Sequence, residues 1–240
     1  MVILALDTTT RAGSVAVLQD DTVVSSVQGD SLATHGERLP AEIALALDQA
    51  AMSVRAVELF AVASGPGAFT GLRIGLAAIQ GLAMVLNVPV IGVSSLDALA
   101  FATWSQIPHT QETTLWSWMD AQRGEVFAAR YQWRGVDADN WLPAEPPVVG
   151  EPARLLSSIH PRSVASLIVG DGAVKHRATI EAWSHGEWKV IDPPNMLAAA
   201  IGAVGRRLAT RGHAGPPHTL QPLYVRRPDA ELERERRSTS

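Results

Sequence analysis

Along the first hundred residues the hydrophobic pattern changes period at well-marked places. Segments 2–7, 13–19 and 22–28 are apolar or alternate apolar with polar positions, which predicts three consecutive strands, with Asp20-Asp21 as a two-residue hairpin turn. From 34 to 51 the apolar spacing becomes three or four, through His35, Leu39, Ile43, Leu47 and Ala50 or Ala51, so a helix follows with Thr34 as its N-cap. Next come a strand over 57–63, a helix over 70–86 capped by Thr70, a strand over 88–92, and a helix over 95–105 starting at Ser94 or Ser95. The order βββαβαβα needs a crossover for each parallel return. It therefore predicts a mixed sheet with helices on its faces.

Beyond residue 105 the texture changes, because all seven Trp lie at or after position 104. Segments 113–120 and 125–132 read as a strand pair turned at 121–124, 166–170 as a strand, and 195–211 as a helix after Pro193-Pro194. The stretch 133–147 reads as a loop. A first lobe over 1–105 and a smaller α/β lobe over 106–225 are expected, with the last helix able to pack back on the first lobe. The tail 226–240 mixes charges without an apolar stripe and is expected to be flexible.

With 240 residues, 47% of them apolar, the chain can bury a sizeable core. It has no cysteine, which removes disulfides and thiolate metal sites and points to a reducing compartment, the cytoplasm by default. The start reads as a strand and not as a signal peptide. Hydrophobic runs are cut by Gly, Pro, Asp or Arg before the roughly 20 residues of a membrane span, so no membrane association is expected. The formal charge of −4 is uneven: residues 1–100 carry no Lys, and their acidic residues outnumber Arg more than twofold, while the remainder is close to balanced. The first half is thus poorly suited to grip RNA, and a role near tRNA would need a more basic partner.

Four places could carry chemistry. Asp7-Thr8-Thr9-Thr10, followed by Gly13-Ser14, puts a carboxylate and three hydroxyls at a strand end; it can hold phosphate and a metal, or simply satisfy its own backbone. In residues 65–75, Gly65-Pro66-Gly67-Ala68-Phe69-Thr70 leads a buried strand into a helix N-terminus, which suits an anion. That stretch lacks the Walker A lysine, and Thr70 stands where a dinucleotide loop has Gly or Ala. Gly67, Gly71 and Gly75 recur every four residues, and helical glycine costs about 1 kcal/mol against alanine, so close contact along that stripe is the better reading. Ile74, Ala77, Gly81 and Val85 form a second apolar line, which implies a second neighbour. His35 lacks a second His four residues on, since Leu39 is there, so no His metal site is expected. Asp120 and Glu125 flank a turn and read as turn-stabilising carboxylates. No nucleophile set appears.

Ile3-Leu4-Ala5-Leu6-Asp7-Thr8-Thr9-Thr10, residues 65–75 with Phe69, Thr70 and Arg73, Gln80-Gly81-Leu82-Ala83, and Gly92-Val93-Ser94-Ser95-Leu96 resemble the TsaB family, also called YeaZ. So do Asp120-Ala121-Gln122-Arg123-Gly124-Glu125 and Pro222-Leu223-Tyr224-Val225-Arg226. The resemblance implies the actin-like ATPase (ASKHA) superfamily fold, with two ribonuclease-H-like lobes. It implies a TsaD-like catalytic paralogue and a TsaE-like ATPase as partners in placing threonylcarbamoyl on adenosine 37 of tRNAs that read codons beginning with adenine. In that family the paralogue carries a His-x-x-x-His metal pair in its first helix, where this chain has His35 and Leu39. The chain is thereby expected to be non-catalytic and to bind no cofactor alone; a nucleotide at the partner interface stays open. It would pair with the paralogue, and with itself when alone, through its first two helices, and touch tRNA only indirectly. The faces expected there are His35, Leu39, Ile43 and Leu47, with Gly71, Ile74, Gly75, Ala78 and Leu82. The competing expectation is a small ASKHA-type kinase or ATPase holding phosphate on Asp7 and Thr8 to Thr10.

Overall fold

The computed structural model describes residues 1–107, 114–133, 141–143, 145–158 and 166–226. The tail from 227 onward and parts of the predicted 133–147 loop lie outside the described residues. In the first lobe β1 (Val2–Asp7), β2 (Ser14–Gln19), β3 (Thr22–Gln28), α1 (His35–Gln49), β4 (Leu59–Gly65), α2 (Phe69–Leu86), β5 (Val90–Ser94) and α3 (Ser95–Trp104) follow in the predicted order. The sheet runs β3-β2-β1-β4-β5, antiparallel through the first three strands and parallel from β1 to β4 to β5. Strands β4 and β5 each sit about two residues later than the hydrophobic runs suggest.

Local chemistry sets the helix ends. The Thr34 N–H and hydroxyl both donate to the Glu37 carboxylate at 3.0 and 2.6 Å, closing the start of α1. Thr70 is not the cap of α2: the helix begins at Phe69 after Ala68, which offers no side-chain cap. At its other end Asn87 takes the left-handed conformation that stops the helix. The Ser94 hydroxyl accepts the Asp97 N–H and starts α3.

The second lobe contains β6 (Thr114–Asp120), β7 (Val126–Trp133), β8 (Trp141–Pro143), β9 (Val148–Gly150), α4 (Pro152–Ser158), β10 (Ser166–Val169), α5 (Asp171–Lys175), α6 (Arg177–Ser184) and β11 (Lys189–Ile191). Its sheet runs β11-β10-β6-β7-β8, with β9 also on β7. Read outward from the central strand, the lobes match: β6 pairs antiparallel with β7 as β1 does with β2, and β10 runs parallel beside β6 as β4 does beside β1. One βββαβ plan thus serves twice, more loosely the second time.

The last helix, α7 (Ala198–Thr210), lies across β1, β2, β4 and β5 of the first sheet. A methyl group at Gly205 would come within 2.9 Å of Ala61 Cβ, so glycine there lets the helix rest on the strands. On the opposite face α1 and α2 cover the sheet with Leu39, Ile43, Leu47, Leu72, Leu76 and Ile79, each large side chain contributing about 2 kcal/mol by leaving water. Helix α2, with 18 residues at mean hydropathy 1.6, is long and apolar enough to cross a membrane by length and composition, although Gly71, Arg73, Gly75 and Gly81 interrupt its apolar run. Here one side of it covers β4.

Candidate functional site

The loop after β1 closes on itself. Asp7 is 1% exposed; its Oδ1 accepts the Thr9 N–H at 2.8 Å and the Thr9 hydroxyl at 2.6 Å, and its Oδ2 accepts the Thr10 hydroxyl at 2.7 Å. Of the two readings open for Asp7 to Thr10, these bonds describe the turn for Asp7, Thr9 and Thr10, while the buried Thr8 hydroxyl has no hydrogen-bond partner. The second lobe repeats the device, since Asp120 at the end of β6 accepts the Gln122 N–H at 3.0 Å.

The glycine stripe faces this loop. A methyl group at Gly67 would stand 2.5 Å from Thr9 Cβ, one at Gly71 would overlap the Thr8 carbonyl, and one at Gly75 the Thr8 hydroxyl. Gly71 and Gly75, expected at a partner interface, are therefore buried seats for the chain's own loop. Their spacing signalled close approach correctly, but periodicity cannot say which segment approaches. Leu39, Ile43 and Leu47 need the same correction: at 2%, 8% and 7% exposure they belong to the core between α1 and the sheet.

His35 is half-buried between α1 and the loop. Its Nε2–H donates to the Thr10 carbonyl at 3.1 Å, and its Nδ1 faces the Arg38 guanidinium at 2.7 Å. Burial first, and then the Arg38 charge, hold its pKa below 6.5. Both ring nitrogens are thus engaged by the chain itself, and Leu39 supplies no second imidazole. Arg38 and Glu42, an ion pair one helical turn apart and 8% and 13% exposed, complete the cluster. In sequence they look like any surface i,i+4 pair, so they were missed.

What faces outward on α2 is the neighbouring line. Ile74, Ala78 and Leu82 are partly buried, Ala77 and Gly81 exposed, and Met84 and Val85 70% and 85% exposed. Near its N-terminus Phe69 and Arg73 are exposed, with the Arg73 guanidinium 3.9 Å above the Phe69 ring and donating to the Tyr224 hydroxyl at 3.3 Å. Gly65 adopts φ 108°, and a side chain there would meet the Leu223 carbonyl at 2.9 Å. Pro66 is buried beside it, and Thr70 is exposed.

Residues 220–226 form a strap between the lobes. The Leu223 N–H donates to the Ser64 carbonyl at 2.7 Å, while Arg226 donates to the Ala121 carbonyl at 2.9 Å and pairs with Glu125. A second tie runs from α3 to β7, where the Tyr131 hydroxyl donates to Asp97 at 2.7 Å. Burial pushes the Asp97 carboxyl up, and the Tyr131 and Ser94 hydrogen bonds partly offset it. Among the described residues, no three His, Cys, Asp or Glu side chains cluster as a metal ion would require.

Two lobes of one plan, each with a central strand ending in a turn-capping Asp, define an α/β protein built from a repeated mixed sheet. A family model described as TsaD, tRNA N6-adenosine threonylcarbamoyltransferase, matches residues 30–184. The Escherichia coli tRNA threonylcarbamoyladenosine biosynthesis protein TsaB is 35% identical over 163 residues, covering 65% of this chain and 68% of its own. The Bacillus subtilis protein of the same name is 26% identical over 233 residues, 96% of each chain. The solved structure of YeaZ from Pseudomonas aeruginosa superposes with a TM-score of 0.76 at 26% identity, over 93% of this chain and 99% of that one. The chain belongs to the TsaB (YeaZ) family.

Proposed function

We propose that this chain is the non-catalytic partner subunit of a cytoplasmic complex that forms N6-threonylcarbamoyladenosine at position 37 of tRNAs reading codons that begin with adenine. A TsaD-like catalytic subunit pairs with it, a TsaE-like ATPase joins them, and tRNA is held mainly by the others. The observation that carries this reading is the contrast on α2. The Asp7 carboxylate that would hold phosphate or metal is buried and already takes three hydrogen bonds from its own loop, so the chain offers little for chemistry, while an apolar line on α2 stands open for a partner. The docking line assigned to the catalytic subunit is Ile74, Ala78, Leu82 and Val85, and the same line joins two copies when the chain is alone. A nucleotide, where one binds, is placed at the partner interface.

Reconstitution from purified components tests this: tRNA modification should require the chain and should not arise from it alone. Modification that proceeds at full rate without it, or ATP turnover by the isolated chain that is lost in Asp7→Ala, would refute the reading. Ala78→Arg should abolish co-elution with the catalytic subunit on size exclusion while the isolated chain keeps its circular dichroism.

A further inference from the structure

The loop that follows β1 is gripped by a positive charge buried inside the protein. Arg38 is 8% exposed, and a guanidinium taken out of water costs several kcal/mol unless its N–H groups find acceptors. They do: Nε donates to the Ala33 carbonyl at 3.3 Å, Nη1 to the Glu42 carboxylate, and Nη2 to the Ala12 carbonyl, with the Arg11 carbonyl at 3.4 Å and His35 Nδ1 at 2.7 Å around it. Three carbonyl oxygens, one carboxylate and one imidazole nitrogen thus converge on a single planar cation from three segments of chain. The shell is also shaped for it. A methyl group at Gly29 would overlap Arg38 Nη1, and one at Gly13 would stand 2.9 Å from His35 Cε1, so glycine at both positions makes the room.

We propose that this shell is a cation-binding site filled from within, that Arg38 is the ion around which residues 10–13 and the first turns of α1 are ordered, and that truncating Arg38 leaves a site for free guanidinium ion. Arg38 is a positioning residue in this scheme. Its five donors lie in one plane, and an ammonium cannot reach acceptors so spread. The inference concerns the isolated chain and does not depend on its partner.

The test is thermal unfolding of the full chain carrying Arg38→Ala. Losing one member of a buried ion pair should lower Tm by about 10 °C. Adding about 10 mM guanidinium chloride, far below the molar range that unfolds proteins, should return much of that loss, whereas equal sodium chloride or urea should not. In the unaltered chain the same addition should not raise Tm. Rescue by sodium chloride alone, rescue by divalent cations but not by guanidinium, or no rescue at all would overturn the proposal. Should Arg38→Ala fail to fold, Arg38→Lys gives the second reading. Its Gly13 and Gly29 amides, which bond to the Thr10 hydroxyl and the Gly13 carbonyl, should exchange about tenfold faster than in the unaltered chain. Unchanged exchange there would refute the role of the guanidinium plane.

Discussion

On one stripe of α2, Gly71 and Gly75 leave no room for a methyl group against Thr8; on the next, Gly81 has nothing within 4 Å and Val85 is 85% exposed. Both stripes are small and apolar in sequence, and both look like contact surfaces. Only the structure separates a contact already made within the chain from one left for a partner. Glycine spacing reports that something comes close, while burial reports whether it has arrived.

The largest expected effect is on the closed stripe. Gly71→Ala forces a methyl group onto the Thr8 carbonyl, a buried backbone atom of the loop directly after β1, and should cost about 3 kcal/mol in urea unfolding. Native stability in that variant would mean that the loop yields, and the distinction between the stripes would fail. On the open stripe Val85→Asp should change the stability of the isolated chain by less than about 0.5 kcal/mol. The same change should weaken pairing with the catalytic subunit about 30-fold, or about 2 kcal/mol, because it buries an unpaired charge at the proposed contact. Equal affinity by calorimetry would move the interface elsewhere.

Smaller still, Gly81→Ala should stabilise the isolated chain by about 0.8 kcal/mol, since the exposed helical position gains propensity and meets no neighbour. The smallest effect concerns His35, on which Arg38, Glu42 and Asp7 act together with the Thr10 carbonyl. Its folded pKa lies below 6.5, so the unfolded chain binds the proton more readily. The stability due to its neutral form is complete above pH 6.5 and declines as pH falls through that value toward the folded pKa. His35→Gln should flatten the dependence of Tm on pH in that window; an unaltered slope would assign it to other groups.

The first lobe was legible because its strands and helices are long enough to show their period and are bounded by turn residues. The second lobe was only partly so. Strands β8, β9 and β11 have three residues each and α5 has five, too short for a period of two or of 3.6 to declare itself. At the site, Asp7 and its threonines were visible as a group, and one of their two readings is the turn observed. Leu39, Ile43 and Leu47 marked the apolar face of α1 but not that its cover is the chain's own sheet. Arg38 could not be singled out, because its burial depends on Arg11 and Ala12 arriving from more than 25 residues earlier.

Helix α7 has a consequence for how the chain is made. It covers one face of a sheet whose strands all lie before residue 95, yet its own residues follow that sheet's last strand by more than a hundred positions. Until α7 has emerged from the ribosome, Ile3, Ala5, Leu18, Ala61 and Val93 lack part of their cover, so the first lobe cannot finish folding before then. A message cut short before codon 198 would yield a chain with an open apolar sheet face, fit for aggregation or proteolysis and not for assembly.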